Sequence, residues 1–206
     1  MIAYWDYEQR SEDWYNIRRG LVTASRASEV ISKGTGRARY MRELAADVMT
    51  GESAHWFSTS AMQWGIDTEP QARSFYELET GYDVIETGFC TNTAFPGCGV
   101  SPDGLIGIDG LVEFKCPNTT THIEYLLAGK LPAKYRAQVQ MQMMVTERAW
   151  CDFVSFDPRV IKGQQMMIVS VARDDEYIEK LSAAISEFTD SLAAMLAKLG
   201  ANGDTE

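Results

Sequence analysis

Ser101-Pro102-Asp103-Gly104 is followed, ten residues after the aspartate, by Glu113-Phe114-Lys115-Cys116-Pro117. An acid, then an acid one residue removed from a lysine, is a set of groups suited to cutting a phosphodiester. The diester is anionic and resists an anionic nucleophile. Mg²⁺ prefers hard oxygen ligands and is commonly held by one or two carboxylates plus substrate phosphate. Such an ion activates water and stabilises the leaving oxygen. Lys115 lies two residues from Glu113, so on a strand both side chains face the same way. Its ammonium is then available to hold water or to offset charge in the transition state. Asp103, Glu113 and Lys115 are the candidate catalytic residues, with Asp103 and Glu113 as metal ligands.

Register tests this on paper. Residues 105–108 and 111–115 read as a hairpin around Asp109-Gly110. A two-residue loop would set Asp103 opposite Cys116 and turn it away from Glu113 and Lys115, because side chains alternate along a strand. A three-residue loop, Ile108-Asp109-Gly110, pairs Gly107 with Leu111 and Asp103 with Lys115. All three side chains then share a face, with Gly110 in the left-handed position that closes such loops. The spacing therefore predicts the three-residue loop or an equivalent bulge. The alternative is an exposed hairpin with scattered charges.

The chain has 206 residues, 45% of them hydrophobic and 23% charged. That length and balance predict one globular domain, residues 1–206. No run of 18 apolar residues suggests a membrane-spanning helix. The start is acidic and aromatic without a signal-peptide layout, so a cytoplasmic protein is expected. Cys90, Cys98, Cys116 and Cys151 lack C-x₂-C spacing and read as reduced thiols. A net charge of −10 argues against a simple DNA coat, since non-specific binders carry a basic face. An acidic nuclease remains compatible if the cations line a channel and the acids face outward.

Along the chain, residues 6–30 read as helical, with Gly20 a possible break. Residues 38–50 read as a helix ending at Gly51, and 51–60 as a loop. Another helix spans 60–79, interrupted or bent at Pro70. Residues 84–91 read as one strand, 98–115 as a strand region, 121–129 and 133–147 as helices, and 150–156 and 165–171 as strands. Asp174 caps a last helix whose stripe is Tyr177, Leu181, Phe188, Leu192 and Met195. This order predicts an α/β fold with a mixed central sheet flanked by helices.

Several segments together resemble the phage lambda exonuclease family, the YqaJ-like viral recombinases of the PD-(D/E)XK nuclease superfamily. They are Trp14 to Ser25 (WYNIRRGLVTAS), Trp64-Gly65 through Glu69 to Arg73, SPDG at 101–104, EFKCP at 113–117, Ala137-Gln138-Val139-Gln140, and Phe156-Asp157-Pro158-Arg159. They fall in the family's order and span nearly the whole chain. The resemblance implies a restriction-endonuclease-like core and a single nuclease domain. It implies a Mg²⁺-dependent 5′-to-3′ exonuclease on linear double-stranded DNA, releasing mononucleotides and leaving a 3′ single-stranded tail. It also implies a homotrimer, a single-strand-annealing partner protein and a phage or prophage origin in a bacterial cytoplasm. Mn²⁺ is an alternative metal, because both ions favour oxygen sites.

By the same resemblance, the backbone carbonyl of Phe114 is a further metal ligand, and Glu69 is an acid near a second metal. Gln138 helps to arrange the site. Arg18, Ser25 and Ser101 form a pocket for a 5′-phosphate, and Met62 is an apolar wedge at the end base pair. Each has a plainer reading: Arg18 as a surface cation, Ser25 and Ser101 as helix or turn residues, Glu69 as a surface acid, Met62 as core. Gln138 and Gln142 share a helical face with Tyr135 that could be solvent. Lys33 and Arg37, flanking a Gly-rich loop, are either phosphate contacts or solvated. His55 and His122 read as non-ligands, Trp56 and Trp64 as core or interface. Residues 118–121 carry no Lys or Arg; if relatives use a basic residue there, the phosphate grip rests more heavily on Arg18. Two other functions fit the motif. A restriction-like or repair endonuclease would cut closed circles, and a silent DNA-end-binding protein would hydrolyse nothing.

Overall fold

A computed structural model describes residues 1–52 and 59–201. His55, Trp56, most of the expected 51–60 loop and the polar tail lie outside the described residues. Nine strands form two sheets among the described residues. They are β1 (Ile2–Tyr4), β2 (Val22–Thr23), β3 (Val84–Ile85), β4 (Phe89–Thr91), β5 (Cys98–Val100), β6 (Gly104–Ile106), β7 (Gly110–Lys115), β8 (Trp150–Phe156) and β9 (Met166–Ala172). The helices are α1 (Glu12–Ile17), α2 (Ala27–Ile31), α3 (Thr35–Thr50), α4 (Ser60–Thr80), α5 (Thr119–Ala128), α6 (Arg136–Thr146) and α7 (Asp175–Lys198). The larger sheet runs β3-β6-β7-β8-β9 and is mixed, because β7 and β8 pair in parallel while the other neighbours are antiparallel. The smaller sheet runs β1-β4-β5-β2. The expected α/β architecture holds, with one refinement: short strands split off into a second sheet.

Side-chain alternation divides the larger sheet into two faces. Val112, Phe114, Val154 and Phe156 pack on Ala72 and Tyr76 of α4. Leu111 and Cys151 point the other way, onto Val139 and Met143 of α6. Glu113 and Lys115 share the parity of Leu111, so they also face α6. A third cluster joins α2, α3, α6 and α7 to the smaller sheet through Val30, Leu44, Met141, Leu181 and Phe188. Fully burying one such side chain contributes about 1.5–3 kcal/mol.

The hairpin has a three-residue loop, one position earlier than expected. Gly104 pairs with Val112, Leu105 with Leu111 and Ile106 with Gly110, so the loop is residues 107–109. Gly107, at φ +50°, takes the left-handed position expected of Gly110. Gly110 instead begins β7, where a Cβ would fall 2.2 Å from the Trp150 ring. Buried Arg148 holds this register: its Nη1 donates to the carbonyls of Ile106 and Gly107 at 3.1 Å and of Gly110 at 2.6 Å. The shift moves the pairing by two, so the parity survives. Asp103 now falls opposite Glu113 rather than Lys115.

Three other expectations change. Residues 6–30 are not one helix: Gly20, at φ +72°, ends the first turn region, and β2 follows before α2. Residues 84–91 are two strands in different sheets. Between them, the carbonyls of Thr87 and Gly88 accept from Gln9 and from the Trp14 indole, so the N-terminal segment takes bonds a sheet would use. α4 is continuous through Pro70. The missing N–H costs one backbone bond, and the buried face of Thr68, Ala72 and Tyr76 holds the helix on both sides of it.

Candidate active site

The short strand pair β6–β7 brings the two acids together. Asp103 Oδ2 accepts the Phe114 backbone N–H at 2.7 Å, which locks the aspartate beside Glu113. Lys115 donates its ammonium to Glu113 Oε1. Two helical turns of α6 add amides: Gln138 donates to Oε1 of Glu113, and Gln142 to Oε2 at 2.6 Å. The face carrying Gln138 and Gln142 therefore points at the acid rather than at solvent. Glu113 itself is buried, with 1% of its surface exposed.

Burial pushes the Asp103 carboxyl well above the usual range, and the Glu113 and Glu69 carboxylates push it further. Burial alone would lower Lys115, but Glu113 and Asp103 hold it above its ordinary value. The ammonium also lies 5.4 Å from the centre of the Tyr135 ring. Cys116 is driven up to about 12 by burial and by Glu69 and Asp103. Glu69 reaches the site from α4, held by Arg10 at 3.7 Å and Arg73 at 3.4 Å. Burial raises its carboxyl, against the pull of the two arginines.

A cavity of about 590 Å³ opens above these groups. Arg18, Ser25, Met62, Glu69, Ser101, Asp103, Glu113, Phe114, Lys115 and Gln138 all line it. Every site residue expected from the sequence thus meets in one place. Arg18 follows α1 and lays its guanidinium 3.5 Å above the Trp14 ring. Burial lowers it to about 10, so it stays charged at neutral pH. Among the described residues no carboxylate pairs with it. The Trp14 indole N–H donates to Ser101 Oγ at 2.8 Å and fixes that hydroxyl. Ser25 is exposed in the 3₁₀ turn Ala24–Arg26. Met62 is 48% exposed in the first turn of α4, so the core reading fails for it. A second cavity, about 430 Å³, continues past Arg18, Trp14 and Met62 toward Tyr40.

The donor set fits Mg²⁺ or Mn²⁺. Among the described residues no group of three or more His, Cys, Asp or Glu side chains is placed to hold a metal ion by itself. Two carboxylates facing an open cavity are what a hard cation needs when substrate phosphate completes its shell. The upward push on Asp103 by neighbouring carboxylates is the repulsion a divalent cation would relieve.

Other candidates sort differently. Arg37 is engaged by Glu187 at 3.3 Å and covers the Phe188 ring, so it braces α7. Lys33 is exposed. His122 is buried between Ser155 and the Gln164 carbonyl, a structural bridge. Trp64 is partly buried under the Arg159 guanidinium, which lies 4.1 Å from its ring. The four cysteines are free. Sequence reasoning missed Arg10 and Gln9, and it placed Gln142 on the face of Gln138 without giving it a role. Gln9 ties its amide to the Thr87 and Pro102 carbonyls beside Asp103.

Comparison with known proteins places the chain. It is similar to LHK-Exo, an alkaline exonuclease from Laribacter hongkongensis solved alone and in complex with dAMP. The complex shares 43% identity and a TM-score of 0.88, covering 92% of this chain and 96% of that one. A phage-related exonuclease from Haemophilus somnus 129PT shares the fold at 16% identity and a TM-score of 0.70, over 90% of this chain and 99% of that one. ExoD, a putative uncharacterized protein of Escherichia coli K12, is 30% identical over 70 residues, 34% of this chain and 79% of that protein. The YqaJ-like viral recombinase domain matches residues 13–149, a span that carries both acids, the lysine and Gln138. This chain belongs to the YqaJ-like viral recombinase family.

Proposed function

We propose that this protein is a Mg²⁺-dependent 5′-to-3′ exonuclease. It digests one strand of linear double-stranded DNA to mononucleotides and leaves a 3′ single-stranded tail for strand annealing. The observation that carries the reading is one cavity holding both Arg18, a cation without a carboxylate partner among the described residues, and the Asp103–Glu113–Lys115 group. At about 590 Å³ the cavity suits a small ligand, a nucleotide or two rather than a duplex. A strand entering by its end would bring its terminal nucleotide into this space.

Arg18, with Ser25 and Ser101, grips the terminal 5′-phosphate. A planar guanidinium offers paired donors to phosphate oxygens. Asp103 and Glu113, with the Phe114 carbonyl, hold the metal, and Glu69 borders it. Mg²⁺, or Mn²⁺ in its place, would when bound supply phosphate polarisation and a lowered pKa for water. Lys115 holds the attacking water or offsets charge on the phosphate as the bond breaks. Gln138 keeps Glu113 Oε1 in place. Met62, exposed at the rim, separates the last base pair. Assembly as a homotrimer, a single-strand-annealing partner and a phage origin in a bacterial cytoplasm belong to the same reading.

The test uses a linear duplex phosphorylated at one 5′ end, with each strand labelled separately. Loss of label from the 5′-phosphorylated strand as mononucleotides, abolished by chelation and restored by Mg²⁺, is expected. Loss from 3′ ends first, or digestion unaffected by chelation, would overturn it.

A further inference from the structure

We infer that Gln142 is a positioning residue for the proposed nuclease centre: it holds Oε2 of Glu113 and so fixes the orientation in which the carboxylate lines the cavity. The inference rests on the metal-dependent nuclease reading. Gln142 is fully buried on α6. Its Nε2 donates to Glu113 Oε2 at 2.6 Å. Lys115 and Gln138 both use the other oxygen, Oε1. The carboxylate is thus held from two sides, and its plane is set by a helix rather than by solvent.

The amide is not explained by packing. Its neighbours on α6 are Met141, Met143 and Met144, all buried. A methionine has nearly the same length and would suit such surroundings. Among the described residues the oxygen of the Gln142 amide has no hydrogen-bond partner. A buried unpaired carbonyl is unfavourable, so only the donor end gives this side chain a reason to be there. Glutamate at this place would set one carboxylate against another. A neutral donor satisfies Oε2 without adding a second positive charge to the one Lys115 already brings to Glu113. Groups that orient a metal ligand typically change affinity or activity by about 10–100-fold when removed.

The variants are Gln142→Met and Gln142→Ala. Mn²⁺ affinity is read by calorimetry on the protein without DNA, and kcat and KM are read from nucleotide release. Expected are a folded Gln142→Met protein, Mn²⁺ affinity and kcat reduced about 10–100-fold, and KM for DNA unchanged. In wild type, the Gln142 side-chain amide resonances should resist hydrogen exchange and shift on Mg²⁺ addition. That measurement decides the matter if neither variant folds. Mn²⁺ affinity and kcat within twofold of wild type, or amide resonances blind to Mg²⁺, would overturn the inference. A wild-type protein that releases no nucleotide would instead sink the nuclease reading, and the Mn²⁺ comparison would still decide the role of Gln142.

Discussion

Replacing Arg148 by alanine should weaken the fold and the active site together, although Arg148 lies outside the catalytic cavity. Its Nη1 serves the carbonyls of Ile106, Gly107 and Gly110. Gly107 is exposed and its carbonyl can rehydrate, whereas Ile106 and Gly110 are buried. Each buried carbonyl left without a donor costs about 1–3 kcal/mol. Against this, removing a guanidinium that burial holds below its ordinary pKa recovers some desolvation energy. The balance is a loss of about 2–4 kcal/mol. The hairpin loop also sets Asp103 opposite Glu113, so activity should fall beyond what the unfolded fraction explains. Urea unfolding followed by circular dichroism gives the stability, and nucleotide release per folded molecule gives the activity. A variant within 0.5 kcal/mol of wild type (about the spread of neutral surface substitutions) with undiminished activity would refute this role for Arg148.

Three further outcomes follow from the geometry. Arg18→Ala should remove about 1.5–3 kcal/mol of charge-assisted bonding to the terminal phosphate, a roughly 10–100-fold loss of preference for 5′-phosphorylated over hydroxyl ends in competition assays. Met62→Ala should slow digestion of a blunt duplex while leaving a pre-frayed end unaffected, and equal slowing of both would discard the wedge. Hydrogen bonding from Arg159 and Thr119 lowers the Asp157 carboxyl to about 2. A depressed carboxylate pKa gives stability that is present above the unfolded value, about 3.9, and lost as pH falls toward 2. The melting temperature of wild type should drop in that window, and that of Asp157→Asn should drop less.

Much of the site was legible because strand parity is a strong local rule. Any hairpin loop that brought Asp103 onto the face of Glu113 had to preserve parity, and both the expected and the observed loops do so. The exact loop was not legible. Trp150, forty residues away from Gly110, fills the space a Cβ would need, and Arg148 grips the turn from outside it. The break between β3 and β4 was hidden for the same reason: Gln9 and Trp14 come from the far end of the chain. Met62 could not be sorted between core and rim without knowing which way the first turn of α4 faces. Gln142 did leave a signal, a glutamine four residues after Gln138 within a buried methionine-rich run. Its partner Glu113, on the β7 face that packs against α6, could not be read from spacing alone.

The most direct test is nucleotide release in Mg²⁺ from a linear duplex beside a closed circular control, with wild type and Lys115→Ala. The account predicts release from the linear DNA only, and its loss in the variant while DNA-end binding persists. Cutting of the circle, or a Lys115→Ala protein as active as wild type, would contradict it.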